Sequence, residues 1–383
     1  MLEPINPPAA SEPAGGLIRW GKGTTREDQY INAMELPVSE DIELLRRMVS
    51  IPSLSGAEGE LAGFLAREMA ARGFRAWVDE AGNAVGELGE GPREILLLGH
   101  MDTVPGAIPV QVVDGVLYGR GAVDAKGPLA AFIAAATRVG PLPGKRLVVA
   151  GAVEEEAASS KGARHLLRTR RPAQVIIGEP SGWERITLAY KGRLLVEYRL
   201  RRRMSHTAGP ERGACEQAVS FWQRLQSYAA TYNRGRERRS ETLDPSLRSM
   251  HSSSDGLREE VVMTIGLRIP PGLGPAALQA EIEAWAADDE SLRFYGAEVP
   301  FRAEKGTPLV AGLLAAIRAQ GGRPAFSSKT GTSDMNVVGP VWRCPIAAYG
   351  PGDSNLDHTP EERLDLAEYE KAIAVLAEAL KDI

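Results

Sequence analysis

The sequence predicts an α/β protein of layered architecture, and three observations predict it. Short, wholly apolar runs alternate with helical stretches through the first half of the chain, the pattern of strands buried on both faces with helices between them. His and acidic residues recur just beyond the ends of those runs, where open α/β sheets present their ligand sites. After about Lys191 the pattern changes, and after Phe301 it returns, which makes one domain from two separated segments with an insertion between them.

The first 33 residues are rich in Pro, Gly and Ala without a sustained period, so residues 1–33 are expected to be a floppy extension and the fold to begin near Met34. Ser39 caps a helix with Ile42, Leu45, Met48 and Val49 on one face, and Ser55 with Glu58 forms a capping-box pattern for a second helix ending at Gly73. Glu94 to Leu98, Arg146 to Ala152 and Gln174 to Ile177 read as buried strands, with helices at Leu129 to Val139 and Lys161 to Thr169.

Residues 34–190 and 301–383 thus form the main domain, closed by an amphipathic helix from Leu366 to Leu380. Residues 191–300 carry a strand (RLLVEYRLRRR), a helix (Cys215 to Tyr232), a strand (VVMTIGLRI), a helix after Pro275 and a strand near Leu292 to Val299, an order that suggests a βαββαβ insertion. The polar, weakly patterned stretch from Gly235 to Gly256 is expected to be a surface excursion within it.

Composition excludes several classes. With 45 Lys+Arg against 50 Asp+Glu the chain lacks the basic excess of a nucleic-acid coat, so any basic patch is local. Two cysteines without a CxxC pair argue against a disulfide framework or a thiolate metal site, which leaves His and carboxylates as metal ligands. No run approaches the roughly 18 apolar residues of a membrane helix, and no basic-then-apolar leader is present. The expected compartment is the cytoplasm, with neither membrane nor nucleic acid as partner.

Five motifs carry the chemistry. Gly99-His100-Met101-Asp102-Thr103-Val104-Pro105-Gly106 follows an apolar strand; His100 there can ligate a metal, and Asp102, on the same side of an extended chain, is placed to orient it. A solvated turn is the alternative. Asp124 lies in the glycine-rich Tyr118 to Gly127 just before a helix, where its carboxylate can bridge two ions or cap the helix. Glu154-Glu155-Glu156 follows the next strand, and three adjacent acids belong in solvent unless cations absorb their charge. Gly178-Glu179-Pro180-Ser181 and Asp357-His358-Thr359-Pro360-Glu361-Glu362 complete the set.

In this order the motifs resemble the zinc aminoacylase and carboxypeptidase family that includes succinyl-diaminopimelate desuccinylase and acetylornithine deacetylase, and the resemblance runs from Met34 to Ile383. It implies a zinc-exopeptidase-like catalytic domain with an inserted α+β lid and dimerisation domain, and two zinc ions per subunit, for which cobalt can substitute. His100 and Glu179 would hold one ion, Glu156 and His358 the other, with Asp124 between them. Glu155 matches the general base; if the extra residue of this triplet lies earlier, base and ligand move to Glu154 and Glu155. Ser205-His206-Thr207 resembles the lid histidine that reaches the substrate carbonyl, often in the partner subunit of a homodimer. Lys329 to Asp334 resembles a substrate-contacting loop, with Lys329 or Ser333 as ligand of the substrate's carboxylate.

Within that family the wording most resembles the lysine and ornithine hydrolases that act on an amino-group carrier protein. In that branch the α-amino group is blocked as an amide to the terminal glutamate γ-carboxyl of a small acidic carrier. Simple N-acetyl-lysine or N-acetylornithine deacetylation, broad dipeptidase or carboxypeptidase activity, and an inactive binding protein of the same fold are the alternatives. Arg199, Arg201, Arg202, Arg203 and Arg234, Arg236, Arg238, Arg239 concentrate positive charge in the insertion. Arg201, Arg202, Arg203 and Arg236 are candidates for carrier docking, and a pair of solvated polar faces is the alternative.

Overall fold

The computed structural model describes residues 39–206 and 208–383. The expected extension at 1–33 and the start near Met34 lie outside these residues. A nine-stranded sheet forms the base of the molecule, in the order Arg75–Val78, Ala84–Leu88, Lys145–Ala152, Arg93–His100, Gln174–Gly178, Ile346–Ala348, Arg185–Tyr190, Phe301–Arg302, with Ala325–Lys329 paired in parallel to Arg185–Tyr190. Its four middle strands are parallel and almost wholly buried, which is why they read as unbroken apolar runs. The helix Lys126–Val139 is buried through Ala136, and it approaches so closely that a Cβ on Gly178 would meet the Phe132 ring at 2.8 Å.

Ser39 caps the first helix, Glu40–Ser50, its Oγ accepting the Ile42 N–H at 3.3 Å. The second expected cap does not form. The helix Gly59–Ala71 has no side-chain cap. Ser55 instead donates to Asp102 at 2.7 Å, and Glu58 accepts the backbone N–H groups of Gly56 and Glu154, each at 3.0 Å. Buried groups around the sheet's edge recruit both side chains, because an unpaired buried acceptor or N–H costs more than an exposed helix end.

Between Gly192 and Glu298 the chain builds a second sheet, in the order Asp244–Ser254, Arg258–Ile269, Gly192–Arg203, Glu290–Glu298, backed by the helices Ala214–Tyr232 and Pro275–Glu283. Its apolar cluster, including Val196, Tyr198, Phe221, Met263 and Ile265, is separate from that of the large sheet. The surface excursion expected from Gly235 to Gly256 is corrected here: its second half is the edge strand Asp244–Ser254. That strand is exposed along most of its length, so its sequence shows no apolar alternation. Among the described residues no helix is long and apolar enough to cross a membrane.

Candidate metal centre

The parallel strands end at one level. Gly99 pairs with both Gly151 and Gly178, and His100 pairs with Ala152. The segments that follow, with Asp102, Glu154 to Glu156 and Glu179, therefore open on the same edge of the sheet, and the loop after Ile346–Ala348 brings His358 there.

Asp124 arrives by a different route, from the loop between Val116–Tyr118 and the helix Lys126–Val139. The capping alternative does not hold, because Ala125 is the helix N-cap and Asp124 points to the histidines. Buried Glu362 fixes the loop: one carboxylate oxygen accepts the N–H groups of Val123 and Asp124 at 3.0 and 3.1 Å, and the other accepts Arg120 at 2.7 Å. Nothing local in the sequence separates Glu362 from the exposed Glu361 beside it.

Asp124 lies between two imidazoles. Its Oδ1 is 3.1 Å from His100 Nε2 and its Oδ2 is 3.0 Å from His358 Nε2, which in turn is 2.8 Å from Glu156 Oε1. One ligand atom each from His100, Asp124 and Glu156 fall within 4.8 Å of one another. Glu155, Glu156, Glu179, Asp357 and His358 line the same cavity, of about 590 Å³. Glu154 turns away: it accepts Ser159 Oγ at 2.6 Å and lies 3.5 Å from Lys161 Nζ.

The electrostatics describe an excess of buried acid. Burial, reinforced by neighbouring carboxylates, pushes the Glu155 and Glu179 carboxyls well above the usual range. Burial and Asp124 raise Asp357 to about 8, and burial raises Asp334 to about 7. One oxygen of each of those two aspartates is buried without a hydrogen-bond partner among the described residues. Burial also opposes ionisation of Asp124, but the hydrogen bonds to His100 and His358 prevail and hold it low. Hydrogen bonds to Asp124 and Glu156 raise His358 to about 10. Carboxylates this crowded beside two imidazoles are a donor set that fits divalent cations: hard oxygen and nitrogen ligands, with charge to be neutralised.

Of the other residues singled out in the sequence, Lys329 lines the cavity, and burial lowers its pKa. Ser333 does not line it; buried, it accepts the Met335 N–H at 3.2 Å as a helix cap. His206 is exposed, accepts the Ala208 N–H at 3.1 Å, and stands outside the cavity of this chain. Arg201, Arg203 and Arg236 are exposed. Arg202 is engaged by Arg212 O, Gln217 and Glu211 at 2.9 to 3.1 Å. Tyr190, Arg193, Arg248 and Arg268 also line the cavity, and no motif in the sequence marks them. The last three come from the second sheet, Arg193 and Arg268 on strands whose alternation signals only a buried and an exposed face, and Arg248 on the edge strand that shows no alternation.

Residues 96–382 match the family described as peptidase family M20/M25/M40. The chain is 53% identical over 345 residues to a LysW-lysine hydrolase of Deinococcus radiodurans, covering 88% of this chain and 95% of that one. It is 29% identical over 285 residues to a LysW-lysine/LysW-ornithine hydrolase of Saccharolobus islandicus, covering 73% and 78%. Among solved structures, an M20 family metallo-carboxypeptidase from Sulfolobus solfataricus shares the fold with a TM-score of 0.75 at 18% identity, over 90% of this chain and 99% of that one. A dinuclear metal-binding M20 peptidase of Bacillus subtilis does so with 0.63 at 14% identity, over 88% and 96%. From the family match across most of its length, with the donor set at the strand exits, the chain belongs to peptidase family M20/M25/M40 and is a hydrolase of amide bonds.

Proposed function

We propose that this protein releases lysine, or ornithine, from an acidic amino-group carrier protein in amino-acid biosynthesis, by hydrolysing the amide between the carrier's terminal γ-carboxyl and the amino acid's α-amino group. The observation that carries the reaction is Asp124, one oxygen facing each histidine at 3.0 and 3.1 Å. The substrate follows from the Deinococcus relative at 53% identity.

In this reading two zinc ions, replaceable by cobalt, would be held by His100 with Glu179 and by Glu156 with His358, and Asp124 would serve both. Bound there, such a pair would supply a Lewis acid for the amide carbonyl and a water acidic enough to ionise near neutrality. Glu155, in the cavity and with its carboxyl raised by burial, takes the proton of the attacking water and hands it to the leaving amine. Asp102 holds His100, whose Nδ1 is 3.4 Å from its Oδ1 and 3.0 Å from its backbone oxygen. Lys329 contributes a positive charge for substrate carboxylate. His206 reaches the carbonyl oxygen from the partner subunit of a homodimer formed through residues 191–300, since in its own chain it stands outside the cavity. Arg201, Arg203 and Arg236 supply the carrier-facing charge in the cytoplasm; Arg202 contributes less, its charge being offset by Glu211.

The test is turnover of the zinc-loaded protein on carrier-linked lysine, Nα-acetyl-lysine, Nα-acetylornithine and dipeptides. Carrier-linked lysine is expected to have the highest kcat/KM. Faster cleavage of an acetylated amino acid or a dipeptide overturns the carrier reading and leaves amide hydrolysis standing.

A further inference from the structure

The second sheet presents three guanidinium groups to the cavity, those of Arg193, Arg248 and Arg268. Arg193 and Arg268 are directly opposed partners on adjacent antiparallel strands, an arrangement that is unfavourable for like charges unless an anion meets them. Arg248 joins them by a different device. The pairing of Asp244–Ser254 with Arg258–Ile269 is regular up to Leu247 opposite Ile265, then resumes with Ser249 opposite Thr264. Arg248 is the extra residue of a β-bulge, a feature that re-aims one side chain.

It is aimed across Gly266. A Cβ at that position would lie 2.7 Å from Arg248 Nε and 3.3 Å from its Cζ, so the guanidinium crosses the strand where no side chain stands. Gly266 and Arg268 are two residues apart and share a face of the sheet, which puts Arg248 on the side of Arg268. The other two arginines have fixed partners: Arg268 donates to Thr332 Oγ1 at 2.9 Å and Arg193 to Gly296 O at 3.0 Å. Among the described residues Arg248 has no such bond, and it is the exposed member of the three, at the mouth of the cavity.

We propose that Arg248 is a specificity-determining residue that binds a carboxylate on the acyl side of the scissile amide. The acyl group it selects is one with its own α-carboxylate, a γ-linked glutamyl residue, over acetyl. This rests on the carrier-linked reading above. In that substrate both halves of the amide carry an α-carboxylate, whereas an acetylated amino acid carries one only on the amine side. The carrier's bulk must stay outside the cavity, so the acyl-side carboxylate lies toward the mouth, where Arg248 is. A planar guanidinium free of other partners suits bidentate carboxylate binding.

The experiment measures kcat/KM of the zinc-loaded enzyme for Nα-(γ-glutamyl)-lysine, for the same isopeptide with the glutamyl α-carboxylate converted to carboxamide, and for Nα-acetyl-lysine. Arg248→Gln is expected to lower the ratio of glutamyl to acetyl substrate by about 10- to 100-fold, the range for losing a hydrogen bond to a charged group. Arg248→Lys should recover part of that ratio. The carboxamide isopeptide should resemble the acetyl substrate in its response. If the wild type prefers the glutamyl isopeptide and Arg248→Gln keeps the preference, or lowers all three substrates equally, the Arg248 assignment is overturned while the carrier reading stands. If the wild type prefers acetyl-lysine, both fall.

Discussion

The carboxylate of Asp102 accepts the backbone N–H of Glu155 at 3.0 Å through one oxygen, and through the other it accepts the N–H of Glu156 at 3.0 Å and the Ser55 hydroxyl at 2.7 Å. Asp102 is fully buried. It therefore couples the orientation of His100 to the position of the acidic triplet. Asp102→Asn sets an amide NH₂ against a buried N–H and leaves one donor unpaired, which costs about 1–3 kcal/mol. The expected result is a lower Tm and weaker metal retention together. Ser55→Ala, which removes one neutral hydrogen bond, should cost about 0.5–1.5 kcal/mol. Unchanged Tm and metal content in Asp102→Asn would show that the triplet is held by something else.

Glu155 and Glu154 separate by position. Glu155 lines the cavity, and Glu154 is committed to Ser159 and Lys161. Glu155→Gln is expected to keep its metal and lose about 10²- to 10⁴-fold in kcat, the contribution of general acid–base catalysis. Glu154→Gln should keep turnover near that of the wild type. The reverse result would move the base by one residue.

Metal affinity and stability should depend on pH in a definite direction. His358 is raised by Asp124 and Glu156 from 6.5 to about 10, so the folded, metal-free protein holds that proton more tightly than the unfolded chain. The stability this contributes is complete below pH 6.5 and is lost as pH rises through about 10. Asp357, raised from 3.8 to about 8 by burial and Asp124, has the same sign, complete below its unfolded value and lost as pH approaches 8. Glu155 and Glu179, also raised, add to it. Chelated protein should therefore lose Tm between about pH 5 and 9. Zinc displaces these protons, so the Tm gained on adding zinc should grow over the same range. A zinc effect independent of pH would exclude His358 and Glu179 from the ligand set.

The main sheet and much of the site were legible because each depends on short stretches of chain. An unbroken apolar run marks a buried parallel strand, and a His or acid two or three residues past its last apolar residue marks the edge where His100, Glu155, Glu156 and Glu179 meet. Ser39 was legible for the same reason, as a cap whose hydroxyl accepts an N–H only three residues on, that of Ile42. What escaped depends on partners far along the chain. Ser55 and Glu58 match a capping box, but Asp102 and Glu154, 47 and 96 residues away, claim them. Glu362 reads as one acid in a polar run until the loop around Asp124 folds against it. Arg248 lies in a strand exposed on both faces, and only the register shift between Leu247 and Ser249 turns it across Gly266 toward the cavity.

The last prediction concerns recognition of the carrier. Arg201, Arg203 and Arg236 are exposed, and Arg236 stacks its guanidinium 4.1 Å from the centre of the Tyr232 ring, which fixes its direction. Exposed charges of this kind act mainly on encounter, through a field that salt screens beyond about 8–10 Å at ordinary ionic strength. The kcat/KM for carrier-linked lysine should therefore fall as salt rises, while that for Nα-acetyl-lysine should change much less. Reversing two charges, Arg203→Glu with Arg236→Glu, should lower kcat/KM for the carrier-linked substrate and flatten its salt dependence. Arg202→Glu serves as a contrast, because it breaks contacts to Glu211 and Gln217 and should lower Tm as well. Equal losses on both substrates in the double variant, or a salt dependence that survives it, would mean that these arginines do not meet the carrier and that docking uses another face.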